Sequence, residues 1–133
     1  KSQTRRMMLD DEKIYTMAEK LGYSIIAPEQ LSVAEQVRLF SRAKGVAGPG
    51  GSAFANILYS RPGTRALCLK AEEKVSSFVL DMAVSNGIDF RWLLGCSVPT
   101  LARYRHPWDA PFSVDLEQLE RQLLWAKNGV WFE

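Results

Sequence analysis

The feature that most constrains this chain is a repeated alternation of short apolar runs with amphipathic stretches of helical spacing, joined by tight connections. Ile14, Met17, Ala18 and Leu21 keep to one helix face behind Asp10 and Asp11, which predict an N-cap, and Gly22 stops that helix. Ser24 to Ala27 predicts a short buried strand, closed by Pro28. Ser32 and Glu35 have the spacing of a capping box, and they open a helix carrying Val33, Val37, Leu39, Phe40 and Ala43 that ends at Lys44 and Gly45. Gly45 to Gly48 is the next predicted strand. The turn Gly48-Pro49-Gly50-Gly51-Ser52 follows, and Ser52 is expected to cap a helix through Phe54, Ile57 and Leu58 towards Ser60. Beyond the break at Arg61-Pro62-Gly63 come a strand from Arg65 to Lys70 and a helix with Val75, Phe78, Val79, Met82 and Ala83. Asn86-Gly87 stops that helix, and a strand from Ile88 to Leu94 follows. Strand–helix–strand units this tightly connected predict an α/β fold, a mostly parallel sheet with helices on both faces.

The pattern fails after Gly95. Residues 96–112 read as an irregular wrap, and residues 113–133 as a closing helix and apolar tail. Ser113 or Asp115 would cap the helix, which carries Leu116, Leu119, Leu123 and Leu124. Val130-Trp131-Phe132 is too apolar to stay in water and is expected to dock on another surface. Residues 1–9 read as a lead-in. The 133 residues fit a single domain with its own core, and the absence of a methionine at Lys1 suggests a fragment of a larger protein. No apolar run approaches the ~20 residues of a membrane span, and no secretory signal is legible.

A net charge of +2 with mixed signs gives no global footprint for nucleic acid or a membrane surface, so any basic site must be local. Cys68 and Cys96 are too few for a disulfide framework and lack metal-ligand spacing. Cys68 lies within Ala66, Leu67 and Leu69, which predicts a buried, inert thiol and fits a cytoplasmic setting. No metal or cofactor motif is present.

The chemistry-bearing feature is the glycine-rich turn. It lies where a strand ends and a helix begins, where glycines allow close backbone approach and unpaired N–H groups suit a phosphate. Ser52 and Asn56 are one helical turn apart and can face the same crevice. The segment is neither the dinucleotide fingerprint nor the Walker loop, whose lysine is missing. From spacing alone, a tight turn whose glycines merely relieve crowding is as good a reading as a ligand cradle.

The stretch EQVRLFSRAKGVAGPGGSAFANILYSRPGT resembles the core of glycosyltransferase family 61 in Glu35, Gln36, Ala43, Gly48, Pro49, Gly50, Gly51, Ser52, Asn56, Pro62 and Gly63. Upstream, RRMMLDDEKIYTMAEKLGYSIIAPEQLS resembles that family's Arg-rich lead and acidic helix start, and FSVDLEQLERQL resembles its closing helix. The resemblance implies a Rossmann-like C-terminal, donor-binding half of a two-domain GT-B enzyme, with an N-terminal domain outside this chain. It implies inverting, metal-independent transfer of a sugar from a nucleotide-diphosphate donor, a UDP-sugar foremost, to a glycan or capsular polysaccharide precursor. Gly48, Gly50, Gly51, Ser52 and Ala53 would face the diphosphate, Asn56 would brace the turn or touch the sugar, and Gln36 would join the site. Arg5 or Arg6 would offset phosphate charge. The catalytic base would lie in the other half, leaving this chain inactive alone. Two positions depart from the family pattern: Gly50 stands where many members have histidine, and Cys68 where many have glutamate, a contact that Glu72 or Glu73 could replace.

Other candidates have plainer readings. Glu35 has a local duty in the capping box, whereas Gln36 has none that the sequence reveals. His106, flanked by Arg103 and Arg105, is the only histidine but has no acidic residue at a telling spacing, so it reads as a solvated loop residue. Glu117, Glu120 and Arg121 read as a solvated helix face, and Trp125 and Trp131 as packing residues. The alternatives to a transferase are a non-catalytic α/β module that binds an anion or a partner, and a structural domain held through Trp131-Phe132.

Overall fold

The computed structural model describes residues 8–98, 111–126 and 129–132. Arg5, Arg6, Arg103, Arg105 and His106 lie outside the described residues, as do most of the lead-in and of the stretch between 96 and 112. Strands β1 (Ser24–Ile26), β2 (Gly45–Pro49), β3 (Arg65–Ala71), β4 (Asp89–Ser97), β5 (Phe112–Ser113) and β6 (Val130–Phe132) form one sheet in the order β1-β6-β2-β3-β4-β5. All neighbours are parallel except β4 and β5. Helices α1 (Asp11–Lys20), α2 (Val33–Arg42), α3 (Ser77–Ser85) and α4 (Leu116–Ala126) pack on it, with 3-10 helices at Pro28–Gln30, Ser52–Tyr59 and Glu72–Lys74.

Strand alternation divides the core in two. Ala47, Leu67, Leu69 and Trp131 bury one sheet face against Ile14 and Ala18 of α1 and Leu119 and Leu123 of α4. Val46, Ala66, Cys68, Val130 and Phe132 bury the other against Phe40 of α2, Phe54 and Ile57 of the long 3-10 helix, and Val79 and Ala83 of α3. Successive residues of a strand point to opposite faces, so each strand serves both layers. Among the described residues no helix is long and apolar enough to cross a membrane.

The apolar tail is a structural strand. β6 is inserted between β1 and β2, with Ile25 opposite Trp131 on one side and Val46 opposite Val130 on the other. Trp131 and Phe132 have no exposed surface. Three residues carry too little alternation to declare a strand, and partners almost the whole chain away supply the signal instead. β4 likewise continues through Ser97, and Phe112 pairs with it as part of β5.

Caps resolve into specific residues. The Ser32–Glu35 capping box is complete, with the Ser32 N–H donating to Glu35 Oε2 at 2.7 Å and the Glu35 N–H to Ser32 Oγ at 3.1 Å. Asp115, not Ser113, caps α4, accepting from the Gln118 N–H at 3.0 Å. Asp10 precedes α1 with φ of 58°, and that left-handed backbone leaves its side chain off the helix amides.

Gly48 makes the β2–β6 contact possible. A Cβ placed there would run into the Phe132 carbonyl oxygen and press on its ring. Gly48→Ala is therefore expected to destabilise the fold by about 2–3 kcal/mol through forced separation of the strands, measurable as a lower urea midpoint. Trp131→Ala should cost about 3–5 kcal/mol. A Trp131→Ala chain as stable as wild type would contradict the placement of β6 in the sheet.

Candidate functional site

The glycine-rich turn sits at the carboxyl end of β2, the end of a parallel sheet at which ligands of α/β folds bind. Each of its residues has a distinct role. Gly48 is buried within the strand and serves the packing of β6. Gly50 prolongs the ladder, its N–H donating to the Leu69 carbonyl at 2.7 Å. Gly51 is fully extended, with φ of 176° and ψ of −171°. Ser52 then starts the helix as its first residue rather than its cap, which corrects the expectation from sequence.

That helix is 3-10 over Ser52–Tyr59, not α. Its buried residues explain the choice: Phe54, Ile57 and Ser60 recur every third position, matching three residues per turn, while Leu58 is 49% exposed. Its first internal hydrogen bond runs from the Phe54 N–H to the Gly51 carbonyl at 3.0 Å. The N–H groups of Gly51, Ser52 and Ala53 precede that bond, so they are donors the helix's own ladder leaves unused. Ser52 is exposed and Ala53 half-buried.

Asn56 and Gln36 meet behind the turn. Asn56 Nδ2 donates to Gln36 Oε1 at 3.0 Å, and Gln36 Nε2 donates to the Pro28 and Leu31 carbonyls at 2.8 and 3.1 Å. Gln36 thus has a local duty that its sequence neighbours did not reveal: it ties α2, the 28–31 connection and the helix of the turn into one unit. The fold brings Gln36, Asn56 and Gly48 to Ala53 to one end of the sheet.

The two departures from the family pattern are neighbours in space. A Cβ on Gly50 would lie 3.1 Å from Cys68 Sγ and 3.0 Å from Lys70 Cδ, tighter than ordinary contact. Burial pushes the Cys68 thiol up to about 12, and the nearby Lys70 charge only partly opposes it. Cys68 is therefore a packing residue beneath the turn and not a nucleophile. Glu72 and Glu73 lie exposed just past β3, and Lys74 is buried beside them. Lys70 stands in phase with buried Ala66 and Cys68, on the sheet face that carries the helix of the turn.

Of the remaining candidates, Trp125 and Trp131 are packing residues, as the sequence suggested. Trp125 packs under the guanidinium carbons of Arg91 and Arg65, 4.0 and 5.6 Å from the ring centroid, and Arg65 Nη1 donates to the Trp125 carbonyl at 2.6 Å. An open recess of about 460 Å³ at the opposite end of the sheet is lined by Arg42, Lys44, Arg61 and Arg65, among others. It is nowhere near the turn. Its cations cluster where α2 and α4 end, as helix C-termini favour. Among the described residues no three His, Cys, Asp or Glu side chains are placed to hold a metal ion.

Cys68 and Cys96 should differ sharply in reactivity. A folded-state thiol value of about 12 leaves roughly one Cys68 in ten thousand ionised at pH 8, whereas Cys96 is exposed. Brief iodoacetamide treatment of the native chain, read by mass spectrometry, should modify Cys96 and spare Cys68 until denaturant is added. For the brace, Gln36→Ala should cost about 2 kcal/mol and Asn56→Ala about 1, with coupling between them in a double-mutant cycle.

No curated protein and no solved structure matches the chain. The family model for Glycosyltransferase 61 matches residues 1–67. That stretch runs from the lead-in through the capping-box helix, the turn, and Gln36 with Asn56, into the first half of β3. The chain belongs to glycosyltransferase family 61, a family of sugar transferases.

Proposed function

We propose that this chain is the Rossmann-like, donor-binding half of a GT-B enzyme that transfers a sugar from a nucleoside diphosphate to a glycan or capsular polysaccharide precursor in the cytoplasm. The observation that carries the reading is the row of N–H donors on Gly51, Ser52 and Ala53 at the carboxyl end of β2, inside the stretch the family model matches. A sugar–diphosphate bond breaks with negative charge developing on the departing phosphate. Donors already aimed at that charge lower the barrier without moving. Backbone N–H groups held by a short helix meet this need, and the aligned peptide dipoles add to it.

Side chains then take second place. In this reading the Ser52 hydroxyl, exposed at the helix start, adds a donor. Asn56 and Gln36 keep the helix at its angle to the strand, so the N–H groups stay aimed. Arg5 and Arg6 supply further charge in this reading. Transfer is inverting and independent of metal, and the base that activates the acceptor belongs to an N-terminal domain outside this chain.

Calorimetry with UDP and other nucleoside diphosphates tests the reading. Wild type should bind at least one of them, and Gly51→Trp should abolish binding by filling the space over the N–H groups while the melting temperature changes little. The isolated chain should bind the nucleotide without turning over a nucleotide sugar. A wild-type chain that binds no nucleoside diphosphate would contradict the proposal.

A further inference from the structure

Lys70 is the penultimate residue of β3. Its strand phase is that of Ala66 and Cys68, both fully buried against the face that carries α2, the long 3-10 helix and α3. Its side chain therefore leaves the sheet on the side of the helix that follows the glycine turn. Gly50 lies directly beside it, hydrogen-bonded to the adjoining Leu69 carbonyl at 2.7 Å. The position a Cβ would take on Gly50 is 3.0 Å from Lys70 Cδ, so the lysine stem runs through the space that a side chain at position 50 would otherwise occupy. The lysine charge is felt at Cys68, whose sulfur lies 3.1 Å from the same point.

The geometry points to Lys70 as the side chain that carries positive charge onto the donor's diphosphate at the glycine turn. This rests on the nucleotide-sugar reading above and adds to it a residue contributed by the neighbouring strand. Backbone N–H groups bring partial charges only, whereas a nucleoside diphosphate brings formal negative charges that need a cation or a metal. An ammonium on a four-carbon stem is a compact charge able to follow the phosphate as the sugar bond lengthens. Gly50 takes its meaning from the same arrangement. Without a Cβ there, the stem passes close over the backbone of the turn, its Cδ 3.0 Å from where that Cβ would sit, so the bare position 50 and the lysine at 70 act as one device.

The test titrates UDP, inorganic pyrophosphate and uridine into wild type, Lys70→Met, Lys70→Arg and Gly50→Ala. Lys70→Met should weaken UDP and pyrophosphate by about tenfold or more, as loss of a charged hydrogen bond does, and leave any uridine binding unchanged. Lys70→Arg should recover most of the loss, and Gly50→Ala should show a smaller loss in the same direction. Melting temperatures of all variants separate folding from binding, since a merely structural lysine would weaken all ligands together and follow stability. Wild-type affinity for UDP and pyrophosphate in Lys70→Met overturns the inference while leaving the nucleotide-sugar reading intact. A wild type that binds neither phosphate ligand overturns both.

Discussion

The structure depends on the seating of β6 between β1 and β2. Val130-Trp131-Phe132 brings together strands that the chain order would leave apart, and it supplies side chains to both core layers. Phe132 meets Phe40 and Phe54 at centroid distances of 5.7 and 4.8 Å, which ties α2 and the helix of the turn to the sheet. On the other face Trp131 meets Tyr15 of α1 edge-on. The contact is possible because Gly48 has no Cβ to strike the Phe132 carbonyl. The glycines of the turn are thus not interchangeable. Gly48 answers to folding, Gly50 makes room for a neighbouring strand's side chain, and Gly51 is the extended residue from which the 3-10 helix starts.

From this follows the aim of the site. β2 pairs with β6 at Val46 and Ala47 and with β3 along its whole length to Pro49, which anchors its carboxyl end in the sheet. Asn56 and Gln36 fix the helix that departs from it. In the proposed reading, N–H donors held this way cost little reorganisation when charge develops on a departing phosphate, the condition under which electrostatic stabilisation is effective. The family match spans residues 1–67 and includes this segment.

Much of this was legible in the sequence, and for identifiable reasons. The helices of Ile14 and Ala18, Phe40, and Val79 and Ala83 have the spacing that burying one face requires. The capping box is a local device whose partners lie three residues apart. The class of sheet followed from the tight alternation. What was not legible depends on residues distant in sequence. β6 is too short to carry a period, and its partners are about a hundred residues upstream. The 3-10 form of Ser52–Tyr59 turned on whether Leu58 or Ser60 followed Phe54 and Ile57 into the core. Gln36 looked free because its acceptors and its donor lie on other elements. That Lys70 lies against Gly50 depends on the pairing of β2 with β3, which local sequence does not reveal.

The central claim is that the backbone after β2 is a diphosphate-binding surface, and amide chemical shifts report on it directly. Two-dimensional ¹H–¹⁵N spectra of the labelled chain, recorded during titration with UDP, should show the largest changes at Gly51, Ser52 and Ala53, with smaller ones along the helix to Asn56. Changes confined to the opposite end of the sheet, around Arg42, Arg61 and Arg65, or no changes at saturating nucleotide, would contradict it.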